Sequence, residues 1–66
     1  MLYAKVSAQA REMICSAMKT TKDAKMYRRL KVIDLSGQGH TVADLARLFD
    51  LSEAVVRRYI HRFNRA

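Results

Sequence analysis

Apolar residues recur at helical spacing in four stretches of this chain, with short polar interruptions between them. Ala10, Ile14, Ala17 and Met18 fall on one face of a segment near residues 8 to 19, and Ser7 stands where a cap would, so the spacing predicts a first, packing helix. Thr20, Thr21 and Asp23 then form a stop and restart signal. Beyond it, Met26, Tyr27, Leu30 and Ile33 have the spacing of a second buried stripe, in a helix running to about residue 36. The "SGQG" that follows offers two glycines, Gly37 and Gly39, either of which can take the left-handed conformation that ends a helix.

Thr41 begins a third helix, because its hydroxyl can cap the first free amides while Asp44 sits by the positive helix end. Val42, Leu45, Ala46 and Phe49 make its apolar face. It is predicted to be only about two turns long, since "FDLS" interrupts it and Ser52 supplies a new cap. In the fourth helix Val56, Tyr59, Ile60 and Phe63 form a clear buried stripe. At about 100° per residue, Ala54, Arg58, His61 and Arg65 lie near the opposite pole, with Arg57 beside them. One helix thus carries a core face and a basic face.

The expected fold is all-α: a small three- to four-helix bundle containing a helix-turn-helix. Residues 1–66 make a single domain, with an N-terminal packing helix within 1–22 and the helix-turn-helix unit at 41–65. A chain of this size buries only about 60 % of the surface it exposes when unfolded, so its core is thin. There is no proline and the glycines number 2, which leaves little that asks for strands or flexible linkers.

Charge narrows the partner. Lysine and arginine total 13 against 6 acidic residues, a net +7, and so strong a field on so small a body suits a polyanion. No apolar run approaches the roughly 20 residues of a bilayer span, and "MLYAKVSAQ" lacks the features of a secretory signal. The expected location is cytoplasmic, at the nucleoid in a bacterium. Cys15 stands alone and reads as a small apolar residue at a core edge. With His40 and His61 as the other strong ligands there is no zinc spacing, so no metal, cofactor or small-molecule substrate is expected.

Two short helices joined by a tight turn, the second basic on its outer face, form the helix-turn-helix pattern. Ala46 is small where the helices cross, Leu51 can plug the turn, and Asp50 occupies the turn position that usually carries glycine. The second helix suits a major groove about 12 Å wide, with Glu53, Ala54, Arg57 and Arg58 near base edges and His61 within reach. Arg58 is the best single candidate for base readout, because a guanidinium can donate two hydrogen bonds to guanine. Glu53 either accepts from a cytosine amino group or simply favours the helix N-terminus; Ala54 either touches a thymine methyl or lets the backbone approach. Phosphate contacts are expected from Thr41 and Ser52 at the helix starts and from Arg47, Arg62 and Arg65 at the edges. Lys19, Lys22, Lys25, Arg28 and Lys31 form a further basic series, either a solvated face or a backbone contact, while Tyr59 and Phe63 read as packing residues.

Several of these elements recur in a known order. Asp23 and Ala24, Tyr27 to Arg29, Gly39 before the unit, Ala46 to Phe49, and the basic helix from Arg57 to Phe63 lie within "DAKMYRRLKVIDLSGQGHTVADLARLFDLSEAVVRRYIHRF", preceded by "SAQAREMICSAMKTTKD". In them the chain resembles the N-terminal, homeodomain-like helix-turn-helix region of mariner-type bacterial insertion-sequence transposases. The resemblance implies binding to the ends of a mobile element, with strand transfer left to a separate ribonuclease-H-like domain carrying three metal-binding carboxylates. Asp34, Asp44, Asp50 and Glu53 form no such two-metal constellation, and the second helix-turn-helix of a paired-type region is absent. DNA binding alone therefore carries over, and the chain is not expected to be an enzyme. An excised domain, a remnant and a free-standing regulator, whether repressor or activator, all fit.

The rival reading is a helical interaction module whose basic surface binds an acidic protein or an anionic membrane. Against it, so short a chain can hardly spare the apolar ladder of its last helix from the core. A homodimer is a further expectation, since free-standing binders commonly place two recognition helices on half-sites about 34 Å apart. Leu2, Tyr3, Met13 and Met18 are the apolar residues available for such an interface.

Overall fold

In the computed structural model, which describes residues 1–65, four helices follow in order: α1 (Ala8–Thr20), α2 (Ala24–Gly37), α3 (Val42–Leu48) and α4 (Glu53–Arg65). Each begins where a side-chain oxygen takes up free amide hydrogens. Ser7 Oγ accepts from the Ala10 amide at 3.1 Å, and Asp23 Oδ1 from those of Lys25 and Met26 at 2.9 and 3.4 Å. Thr41 Oγ1 accepts from Asp44 at 3.1 Å and Ser52 Oγ from Val55 at 3.2 Å. Each such cap is worth about 1 kcal/mol, a sizeable share of the stability of so small a domain.

The two glycines serve different needs. Gly39 has φ 104°, and around it the His40 amide donates to Leu35 O at 3.2 Å and the Gly39 amide to Ser36 O at 3.1 Å. These are the paired bonds of a Schellman closure, with Gly39 in the left-handed position. At Gly37 a Cβ would lie 2.7 Å from Val6 Cγ2 and 2.9 Å from Val6 Cβ. Its bareness lets the start of the chain cross the end of α2.

α2 is the central element, with α1, α3 and α4 all packed against it, and α3 packed in turn on α4. This moves its buried face away from the expected stripe. Leu30 and Ile33 do pack into the core, but Met26 and Tyr27 are 39 % and 46 % exposed, while Val32, Asp34 and Ser36 are buried. The cause is uneven company along the helix. Near its start Tyr27 borders a shallow hollow with Cys15, Met18 and Lys19 of α1, whereas the last turns are also met by the N-terminal residues. Neighbours on several sides bury more than one stripe.

Ile14, Val32, Ile33, Leu45, Ala46, Val56 and Ile60 form the core together with Ala4. Burial of each larger side chain contributes about 1.5–3 kcal/mol. Cys15 is half-buried. Buried Asp34 accepts a hydrogen bond from Gln38 Nε2 at 3.2 Å, and Arg11 Nε of α1 lies 3.7 Å from its other oxygen, linking the first two helices.

Residues 1–6 form a strap without regular structure, pinned by side chains from distant parts of the chain. Ser36, fully buried, accepts from the Ala4 amide at 2.9 Å. Asn64 accepts from the Lys5 amide at 2.8 Å and donates to Tyr3 O at 3.2 Å. Leu2, Val6 and Met18 pack against the core, so Leu2 and Met18 are not the free docking surface expected of them. Met13 does stay 68 % exposed. Among the described residues no helix is long and apolar enough to cross a membrane.

Candidate nucleic-acid interface

The turn between α3 and α4 repeats the closure that ends α2. Leu51 N–H donates to Ala46 O at 2.9 Å and Asp50 N–H to Arg47 O at 3.4 Å, with Asp50 at φ 54° in the position Gly39 fills earlier. The expected left-handed Asp50 is therefore present. Leu51 packs inside the turn, and buried Ala46 and Val56 supply the small and apolar surfaces where the helices meet. Because the turn is hydrogen-bonded at both places, α4 leaves α3 at a defined angle.

α4 divides cleanly. Val56 and Ile60 are 0 % exposed, and Tyr59 and Phe63 pack beside them, as read from the sequence. All five residues expected at base edges, Glu53, Ala54, Arg57, Arg58 and His61, are exposed, as are Arg62 and Arg65. Of the remaining residues expected at phosphates, Arg47 and Ser52 are exposed and Thr41 is partly buried. The Thr41 and Ser52 hydroxyls already accept amide hydrogens, yet each keeps its own O–H to donate to an anion.

The free protein holds some of these arginines in local pairs. Arg57 Nη2 lies 3.0 Å from Glu53 Oε1 one turn earlier, and Arg47 Nη2 lies 2.7 Å from Asp44 Oδ1. Both pairs are exposed, so they are weak and exchangeable. Arg58, Arg62 and Arg65 have no acidic partner among the described residues. Arg58 is thus available to a base without first leaving a carboxylate.

Two contacts hold the flanks of α4. Measured around the helix from Val56, Asn64 lies about 80° to one side and Tyr59 about 60° to the other. On the Asn64 side are the pinned strap and a shallow groove lined by Leu2, Thr41, Val42, Glu53 and Arg57. On the Tyr59 side the guanidinium of Arg29, from α2, sits over the tyrosine ring at 5.5 Å from its centroid. Sequence reasoning missed Asn64 and Ser36, and saw Arg29 only as part of a Tyr-Arg-Arg resemblance. For Asn64 a signal existed: a polar amide at the border of the apolar stripe, where a lone side chain can still reach backbone. His40 lies apart, around a hollow with Asp44, Arg47 and Leu48. Among the described residues no group of His, Cys, Asp and Glu is placed to hold a metal ion.

A family model described as a homeodomain-like domain matches residues 23–66. The match begins at Asp23, the cap of α2, so the unit comprises α2, α3 and α4, while the strap and α1 precede it. No curated protein and no solved structure matches the chain significantly. A helix-turn-helix of this kind points to DNA binding in general. With more than half its length in that match and a helix-turn-helix formed by α3 and α4, the chain belongs to the homeodomain-like domain family.

Proposed function

We propose that this protein binds double-stranded DNA with sequence preference, α4 lying in the major groove. Glu53, Ala54, Arg57, Arg58 and His61 face base edges, with Arg58 the principal reader, and Thr41, Arg47, Ser52, Arg62 and Arg65 hold phosphates. The observation that carries this reading is the division of α4: its apolar ladder is consumed by the core, while four arginines and a histidine form one exposed face. The same division weighs against a membrane-inserting module, which would need that ladder free. Net charge of +7 supplies the attraction that brings the domain to a duplex. Recognition of mobile-element ends, as the transposase resemblance implies, and transcriptional regulation are the two roles that fit, both in the cytoplasm at the nucleoid.

Selection of bound sequences from a random duplex library near about 0.15 M salt tests it, with Arg58→Ala in parallel. The expected result is an enriched motif, from which Arg58→Ala loses about 1–3 kcal/mol and one base preference. One half-site would mark a monomeric reader, and two at fixed spacing a dimer. Binding that enriches nothing and vanishes as salt rises would overturn sequence preference.

A further inference from the structure

We propose that Arg29, on α2, is a further phosphate anchor, joining Arg62 on the DNA strand on the opposite side of α4 from Thr41 and the start of α3; this rests on the DNA-binding reading above. A helix in the major groove has a phosphate strand along each flank, and here the flanks differ. One carries Thr41, the start of α3 and the groove beside Arg57. The other carries Tyr59 and Arg62, which lie about 60° and 120° from Val56 on the same side. Arg29 stands on that second flank, its guanidinium over the Tyr59 ring.

Three features separate Arg29 from an ordinary surface arginine. Its Nε is buried without a hydrogen-bond partner, yet the residue as a whole stays partly exposed. It has no carboxylate partner among the described residues, unlike Arg11, Arg47 and Arg57. It is held instead by an aromatic face, which orients the planar group without neutralising it. A cation so placed, fixed against the Tyr59 ring, has little side-chain freedom to lose when a polyanion arrives. Phosphate, with its geometry matched to a guanidinium fork, is the ligand this arrangement fits.

The test is the salt dependence of duplex binding by the wild-type protein, Arg29→Met and Arg29→Lys, with thermal melting of each in parallel. Arg29→Met keeps an apolar stem over Tyr59 and removes the charge. The expected outcome is several-fold weaker binding on preferred and scrambled duplexes alike, with the slope of log affinity against log salt reduced by about one, and restored by Arg29→Lys. An unchanged slope, whatever happens to the melting temperature, would make Arg29 a packing residue and overturn the assignment. Loss confined to the preferred duplex would make it a base reader and overturn it equally. Should Arg29→Met fail to fold, modification of wild-type arginines by phenylglyoxal, read by mass spectrometry, decides: duplex should protect Arg29. Equal labelling with and without DNA, including none in either state, refutes the anchor. A wild-type protein that retains no duplex even at low salt would instead remove the DNA reading itself.

Discussion

Asp50→Gly should make the protein more stable. Asp50 occupies the left-handed position of the turn at φ 54°, where the Leu51 amide closes back on Ala46 O at 2.9 Å. An ordinary L-residue loses about 1–2 kcal/mol in this conformation, and Asp, better tolerated than most, about 1. The carboxylate also stands at the negative end of α3, where its removal relieves a few tenths of a kcal/mol, roughly, at moderate salt. It makes no hydrogen bond or ion pair among the described residues that would be lost. Against these gains, glycine loosens the unfolded chain by about 0.4–1 kcal/mol. The net is a gain of about 0.2–1 kcal/mol, or about 1–8 °C in melting temperature for a domain of this size. Thermal unfolding followed by circular dichroism measures it. Asp50→Ala is the necessary partner, because it removes the same charge but gives up Asp's tolerance of the left-handed region. If the glycine and alanine variants melt together, positive φ is not what constrains this turn, and the reasoning fails.

Other substitutions probe the strap and the reading face. Gly37→Ala places a methyl against Val6 and should destabilise by about 1–2 kcal/mol despite better helix propensity; Val6→Ala in the same chain should recover only part of it in denaturant titration, because it removes the Cγ2 at 2.7 Å but keeps the Cβ at 2.9 Å, and a stabilised single variant would show that the strap does not cross there. Glu53→Gln releases Arg57 from its 3.0 Å pair, and should strengthen binding to all duplexes in a fluorescence titration. Loss of discrimination at a single C·G pair would instead assign Glu53 to base readout.

What could be read from the sequence was local. Ser7, Asp23, Thr41 and Ser52 mark helix starts because a cap acts within three residues, and each is found capping. The stripe of α4 was equally legible, since one face of that helix meets the core and the other meets nothing. α2 was not, because Met26 and Tyr27 have the right spacing but too few neighbours at their end of the helix, and no periodicity reports where neighbours stop. The strap lay further out of reach: Ser36 and Asn64 hold residues 32 and 59 positions away, through single side-chain groups that leave no repeating pattern. On the candidate interface, the Glu53–Arg57 pair is a local i,i+4 contact that the sequence reading did not draw, having given Glu53 only a base or helix-end role, whereas the seating of Arg29 on Tyr59 depends on how α2 crosses α4.

The Asn64 clamp also bears on how the protein is made. Its amide grips Tyr3 across 61 positions, so the strap waits for a residue synthesised 61 positions later. At about 5–20 residues per second, that wait lasts roughly 3–12 s, during which Leu2 and Val6 have no finished surface to cover. The strap cannot settle early, and α4 cannot be clasped before residue 64 has appeared. The nascent chain therefore acquires its charge progressively, but a properly held α4 only once residue 64 has been made.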